Sequence, residues 1–130
     1  MRNRFLLSLI FLVFFAAPSI AQQGIFVNEV MASNQNNIAD NTGDFSDWVE
    51  LYNSNSSPVV LDGYYVSDDI ANPLKFRLWG NVQIPAKGYL ILWGSDDTTR
   101  GRTHLPFKFS ASGESFSLCI SSCFITARFS

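Results

Sequence analysis

Glu29 and Glu50 are the pair in this sequence whose type and setting best suit acid–base chemistry. Glu50 lies in "DWVELYN" (Asp47 to Asn53), between Trp48 and Tyr52. Strand alternation would set those three side chains on one face, with Val49 and Leu51 on the other. A carboxylate between two rings suits a general acid, and glycoside hydrolysis uses two carboxylates across a sugar. Glu29, in "VNEVMASN", is the available second. The competing reading, which we prefer, makes both glutamates scaffold: inward-facing groups hydrogen-bonded to backbone amides or a tyrosine hydroxyl. Burial of a carboxylate is costly without partners, so this reading expects both to be hydrogen-bonded or partly wet.

Metal binding is the second chemistry to weigh. The run "DNTGDFSDWVE" carries Asp40, Asp44, Asp47 and Glu50, and Asp68-Asp69 and Asp96-Asp97 add further carboxylates. Calcium takes several oxygen ligands on flexible loops. An EF-hand count from Asp40 fails, because its sixth position is Phe45 rather than Gly and its twelfth is Leu51 rather than Glu. Asp40, Asp44, Asp68 and Asp69 remain calcium candidates against a background expectation of no cofactor. His104 is the only histidine. Neither a Gly-x-Ser-x-Gly elbow nor a His-Glu-x-x-His helix accompanies it, so it reads as an ordinary loop residue. Among the aromatic residues, Trp48, Tyr52, Tyr64, Tyr65, Trp79 and Trp93 could include a sugar-stacking platform, although most such rings pack a core. Trp79, beside Gly80-Asn81, is the one expected to be exposed.

The elements that must position these residues begin after a leader. Arg2 and Arg4 precede an apolar run from Phe5 to Ala17, and Ser19-Ile20-Ala21 supplies small residues before Gln22. That is the pattern of a secretory signal peptide over 1–21. The run is shorter than the roughly 20 residues of a spanning helix, so no membrane span is expected after cleavage. Removing the two leader arginines from nine basic residues leaves seven against eleven acidic ones, a net charge of −4. Nucleic-acid binders need clustered Lys and Arg to displace counterions, and no such cluster is present. The two cysteines, Cys119 and Cys123, could pair in an oxidising compartment. A three-residue loop between them would set them opposite each other, whereas a tight turn at Ser121-Ser122 would not. Two cysteines do not make a zinc site.

From Ile25 onward the sequence reads as short strands separated by turn chemistry. They are expected at Ile25–Met31, Trp48–Asn53, Val59–Leu61, Tyr64–Ser67, Lys75–Leu78, Val82–Ile84, Tyr89–Trp93, Phe107–Phe109, Ser115–Ile120 and Cys123–Ala127. In the first, Ile25, Val27 and Met31 should share one face and Phe26 and Val30 the other. No segment has sustained helical periodicity. Many short strands bounded by Gly, Pro and Asn argue for an antiparallel sandwich or barrel.

Five pieces of the chain, in order, resemble the lamin tail domain family: "VNEVMASN", "DWVELYN", "VVLDGYYVSDD", "IPAKGYLILW" and "FKFSASGESFSL". The resemblance implies an all-β, immunoglobulin-like antiparallel β-sandwich. It gives Glu29, Asp47, Trp48, Glu50, Tyr52, Asn53, Asp62, Gly63, Pro85, Gly88 and Tyr89 structural rather than catalytic roles. With the leader, it resembles the exported bacterial branch of the family, whose members are accessory modules of larger secreted proteins such as hydrolases and CotH-type kinase-like proteins. The end, "CISSCFITARFS", departs from the family pattern. The chain therefore divides into the leader (1–21), the sandwich (22–120) and an atypical tail (121–130). In one alternative the tail marks a truncation and the sandwich lacks its final strand, which would expose an edge; Cys123 to Phe129 would then fill part of the gap. The expected function is a secreted, non-enzymatic module for recognition, adhesion or spacing, with an envelope or extracellular protein or glycan as partner. Its contact loops would be 33–47, 68–73 and 95–104. The rival is a fragment of a secreted enzyme that uses Glu29 and Glu50, or a carbohydrate- or calcium-binding module.

Overall fold

Val49 and Leu51 are fully buried while Glu50 between them is not, and this alternation repeats through the molecule. The computed structural model describes residues 24–120 and 123–129, without the side chains of 123–126. The expected leader and the Ser121-Ser122 turn lie outside the described residues. The strands are β1 (Ile25–Met31), β2 (Asp47–Asn53), β3 (Val59–Val60), β4 (Tyr65–Ser67), β5 (Phe76–Arg77), β6 (Gln83–Ile84), β7 (Tyr89–Gly94), β8 (Glu114–Cys119) and β9 (Cys123–Phe129). A single 3-10 turn, Thr98–Arg100, is the helical element among the described residues. None of them forms a helix long and apolar enough to cross a membrane.

Three antiparallel sheets enclose the core: β1-β2-β7, β5-β4-β8-β9 and the small pair β3-β6. The first contributes Ile25, Val49, Leu51 and Leu92, and the second Val66, Phe116 and Leu118. Leu61, Leu78, Ile84, Leu105, Phe107 and Phe109 fill the ends. Each fully buried aliphatic or aromatic side chain contributes about 1.5–3 kcal/mol. Two sheets closed face to face over one apolar layer make the immunoglobulin-like β-sandwich.

Two expectations about elements need correction. The register of β1 on β2 slips between Val27 and Glu29, leaving Asn28 as the extra residue of a bulge. A bulge reverses the alternation beyond it. Val30 therefore stands opposite Val49 and packs on the core, while Met31 moves to the outer face opposite Trp48. The second correction concerns Phe107–Phe109, which forms no strand. Both rings are buried, and they pack edge to face at 5.9 Å. Here the alternation comes from core packing without a ladder. The segment is pinned instead by the Asp96 amide, which donates to the Phe107 carbonyl at 3.3 Å.

The C-terminal segment is built into the second sheet. β9 pairs along β8 from Glu114↔Phe129 to Cys119↔Cys123, and Phe129 packs edge to face on Phe109 at 6.0 Å. Cys119 is disulfide-bonded and stands opposite Cys123 in the register; the Cys123 side chain lies outside the described residues.

Candidate functional site

The opening pair of glutamates faces away from the core. Glu29 and Glu50 are cross-strand partners on the outer face of β1-β2-β7. Glu29 is exposed and Glu50 half-buried. Glu50 Oε1 accepts from Asn28 Nδ2 at 2.7 Å, so the bulge residue supplies its hydrogen bond. The inward-facing placement is thus corrected, because period-two alternation gives the core side of β2 to Val49 and Leu51. Both glutamates are nonetheless wet or hydrogen-bonded.

The residues that the molecule does gather sit at one end of the sandwich, where the loop 32–46 meets the loop 95–106. Asp40 is the centre, with its carboxylate fully buried. Oδ1 accepts from Thr42 N at 2.8 Å, Thr42 Oγ1 at 2.6 Å and Asp44 N at 3.2 Å. Oδ2 accepts from Ser46 Oγ at 2.8 Å and Arg100 Nη1 at 3.2 Å. Burial pushes its pKa up, but the hydroxyl and amide donors of Thr42, Ser46 and Asp44 outweigh that and hold it well below the usual carboxylate range. Arg100 also reaches Asp44 at 2.7 Å and Asp97 at 3.3 Å. Asp97 caps the 3-10 turn by accepting from Thr99 N at 3.0 Å, and that turn aims Arg100 at Asp40 across the loops.

His104 joins the same cluster and corrects its reading as an ordinary loop residue. It is 1% exposed and stacks on Trp93, with ring centroids 6.3 Å apart and planes at 22°. A parallel bridge to Trp93 holds its backbone beside β7. Asn41 Nδ2 donates to the Arg100 carbonyl at 3.0 Å, which turns Asn41 Oδ1 toward His104 Nε2 at 2.6 Å. Nε2 therefore carries the proton and Nδ1 accepts from Ser95 Oγ at 2.9 Å. Burial pushes the imidazole pKa down, against the pull of the Asp40 charge.

Two asparagines complete the framework. Asn34 Nδ2 donates to the carbonyls of Ile38 at 2.6 Å and Ser46 at 2.9 Å, and its amide donates to Asp47 Oδ1 at 2.9 Å. At the opposite end of β2, Asn53 is fully buried. Its Nδ2 donates to the carbonyls of Ser57, Ile84 and Pro85 at 2.9, 3.2 and 3.0 Å. Asn53 N donates to the Gly88 carbonyl at 2.9 Å, locking the Pro85–Gly88 turn in which Lys87 takes a positive φ of 53°. Gly63, with φ 86°, turns the chain from Leu61 to Tyr64, and Asp62 beside it pairs loosely with Arg77 at 3.9 Å.

The calcium candidates hold other partners. Asp40 and Asp44 share Arg100, Asp68 pairs with Lys75 at 2.6 Å, and Asp69 caps the amide of Ala71 at 2.9 Å. Among the described residues, no group of three His, Cys, Asp or Glu side chains is arranged to hold a metal ion. The aromatic residues divide. Trp48, Tyr64 and Trp93 are buried, Tyr65 is half-buried, and Tyr52 packs on exposed Tyr89 at 4.9 Å. Trp79 is exposed as expected, with the Arg102 guanidinium 5.0 Å over its ring.

What the loop end offers is an open cleft of about 440 Å³, lined by Asp44, Phe45, Ser46, Gly94, Arg100 and Lys108. Phe45 is half exposed to solvent. The carboxylate of Asp40, both ring nitrogens of His104 and the guanidinium of Arg100 are all engaged by neighbouring side chains. Ser95 also lines the cleft, and its hydroxyl is the one that His104 Nδ1 engages at 2.9 Å. The cleft presents one aromatic ring, that of Phe45, and fixed charges of both signs from Asp44, Arg100 and Lys108. Asn34, Arg100 and His104 fall in loops that patterning picks out, but their roles are not legible there, because their partners lie in other segments. The sequence model of the Lamin Tail Domain matches residues 18–122. No curated protein and no solved structure matches the chain. A match over most of the length, joined to this sandwich, shows that the chain belongs to the lamin tail domain family.

Proposed function

We propose that the chain is an exported, non-catalytic recognition module of bacterial type, accessory to a larger secreted protein, whose loop end docks an envelope or extracellular partner. One observation carries this reading. Asp40, Arg100, Asn41 and His104 spend their hydrogen-bonding capacity on one another, so the loops 32–46 and 95–106 form a single pre-shaped surface. Loops held by a rigid scaffold are where binding commonly sits, and pre-ordering lowers the entropic cost of docking. The leader pattern supports export, and the family supports a binding role.

The test is photo-crosslinking in the producing cell, with the reactive residue placed at Phe45 or Lys108 and, as a control, at Lys87 in the exposed turn at the opposite end of β2. A discrete adduct from Phe45 and Lys108 that is lost when Asp44 is reversed to Lys is the expected result. Equal adducts from all three positions would overturn the reading. The enzymatic rival makes a separate forecast: turnover of a secreted substrate that disappears in Glu50→Gln while the fold survives.

A further inference from the structure

The outer face of β1-β2-β7 has one closed half and one open half. In the closed half, Met31, Trp48 and Trp93 form a cross-strand row. Trp48 is 2% exposed, and the His104 ring lies over Trp93. In the open half, Phe26, Tyr52 and Tyr89 form a second row, with Phe26 52% and Tyr89 53% exposed. Between the two rows lie Glu29, Glu50 and Ile91.

The glutamates are the informative part. Like charges directly opposite on paired strands repel. Elsewhere Asp40, Asp44 and Asp97 are answered by Arg100, Asp62 by Arg77 and Asp68 by Lys75, and the strand carboxylates that lack a cation, Asp47 and Glu114, stand opposite Gly94 and Phe129 rather than another acid. Among the described residues, no cation answers Glu29 or Glu50; Asn28 gives Glu50 only a neutral donor. A cation settling between them would relieve the repulsion, and the neighbouring ring faces would attract the same cation.

We propose that this open half binds an extended basic segment of a protein partner, its Lys or Arg head between Glu29 and Glu50 and its aliphatic stem along Tyr52 and Tyr89. A long basic side chain suits both parts, because its methylenes cover apolar surface while its head stays charged. A neutral glycan would use the rings and gain nothing from the opposed carboxylates. This face is distinct from the loop-end cleft, so the two surfaces can be tested apart.

Calorimetric titration of the exported chain with a peptide of alternating Lys and Ser provides the test, with a Glu-Ser peptide and a neutral β-linked glucose oligosaccharide as comparators. The Lys peptide alone should bind. Glu29→Gln, Glu50→Gln and Tyr89→Ala should each raise Kd about tenfold, the equivalent of one modest contact, and Phe45→Ala should leave it unchanged. Glu29→Gln removes repulsion, so its melting temperature should equal or exceed that of the unsubstituted chain, and the loss of affinity is then read on a folded protein. Lys-peptide binding that ignores all three substitutions overturns the proposal, as does no binding at all. Oligosaccharide binding lost in Tyr89→Ala but kept in Glu29→Gln would make the face a sugar platform instead.

Discussion

Asn53 satisfies the carbonyls of Ser57, Ile84 and Pro85 with one amide group. Replacing it by Ala leaves buried acceptors unpaired, at about 1–3 kcal/mol for such a group. We expect Asn53→Ala to cost about 3 kcal/mol, and Asn53→Asp to cost more because a carboxylate would face those carbonyls; urea midpoints at pH 7 measure both. His104 makes a pH prediction. Burial lowers its pKa in the fold below the ordinary 6.5. The unfolded chain therefore binds the proton more readily, and unfolding takes one up. The stability that His104 contributes is fully present above pH 6.5 and declines as pH falls from there toward the folded-state value. Asp40 acts in the same direction lower down: its contribution is present above its ordinary 3.8 and drains away below it. Urea midpoints should fall between pH 7.5 and pH 5, and His104→Gln should flatten that slope; an equal slope in both proteins would contradict the assignment. At this scale the sequence shows residue types but not partners. Nothing local marks His104 as buried, since its contacts come from Asn41 and Ser95 in separate loops.

Strands were largely readable because period-two patterning is local. Val49 and Leu51 announce a half-buried strand, and Pro85 before Gly88 announces the turn. The bulge at Asn28 is not legible, because Ile25-Phe26-Val27-Asn28-Glu29-Val30-Met31 has no strict alternation and fits either register until its partner is known. The bulge carries an element-scale prediction. Deleting Asn28 keeps Val27 opposite Leu51 and Glu29 opposite Glu50, so both faces of β1 retain their side chains. Thermal unfolding should shift by no more than about 1 kcal/mol, the value of the lost Asn28–Glu50 hydrogen bond. Gly94→Ala is the contrasting case. A Cβ there would lie 2.9 Å from the Phe109 ring and 3.3 Å from the Phe109 backbone. The cost should be about 1–3 kcal/mol of overpacking, read from the same unfolding curves. Phe107–Phe109 alternates like a strand without being one, because core packing alone reproduces the pattern of a ladder.

At the scale of the whole molecule, the sandwich closes through contacts between residues far apart in sequence. The Asp40–Arg100 bond spans 60 positions and the Asn41–His104 bond 63. Composition and turn spacing indicate that two layers form, but not which polar residues meet at the end of them. The immunoglobulin-like fold was accordingly open to inference from the sequence, while the knot at its loop end was not. The knot governs the order in which trypsin can dismantle the chain. Cleavage needs several residues around the scissile bond to open, and Arg100 is held by Asp40, Asp44 and Asp97. Arg128 is exposed on the sheet-edge strand β9, so the first fragment by mass should end at that residue. Asp40→Asn should bring the Arg100–Gly101 cut forward among the early fragments, and an unsubstituted chain nicked first after Arg100 would show that the loops are latched by something else.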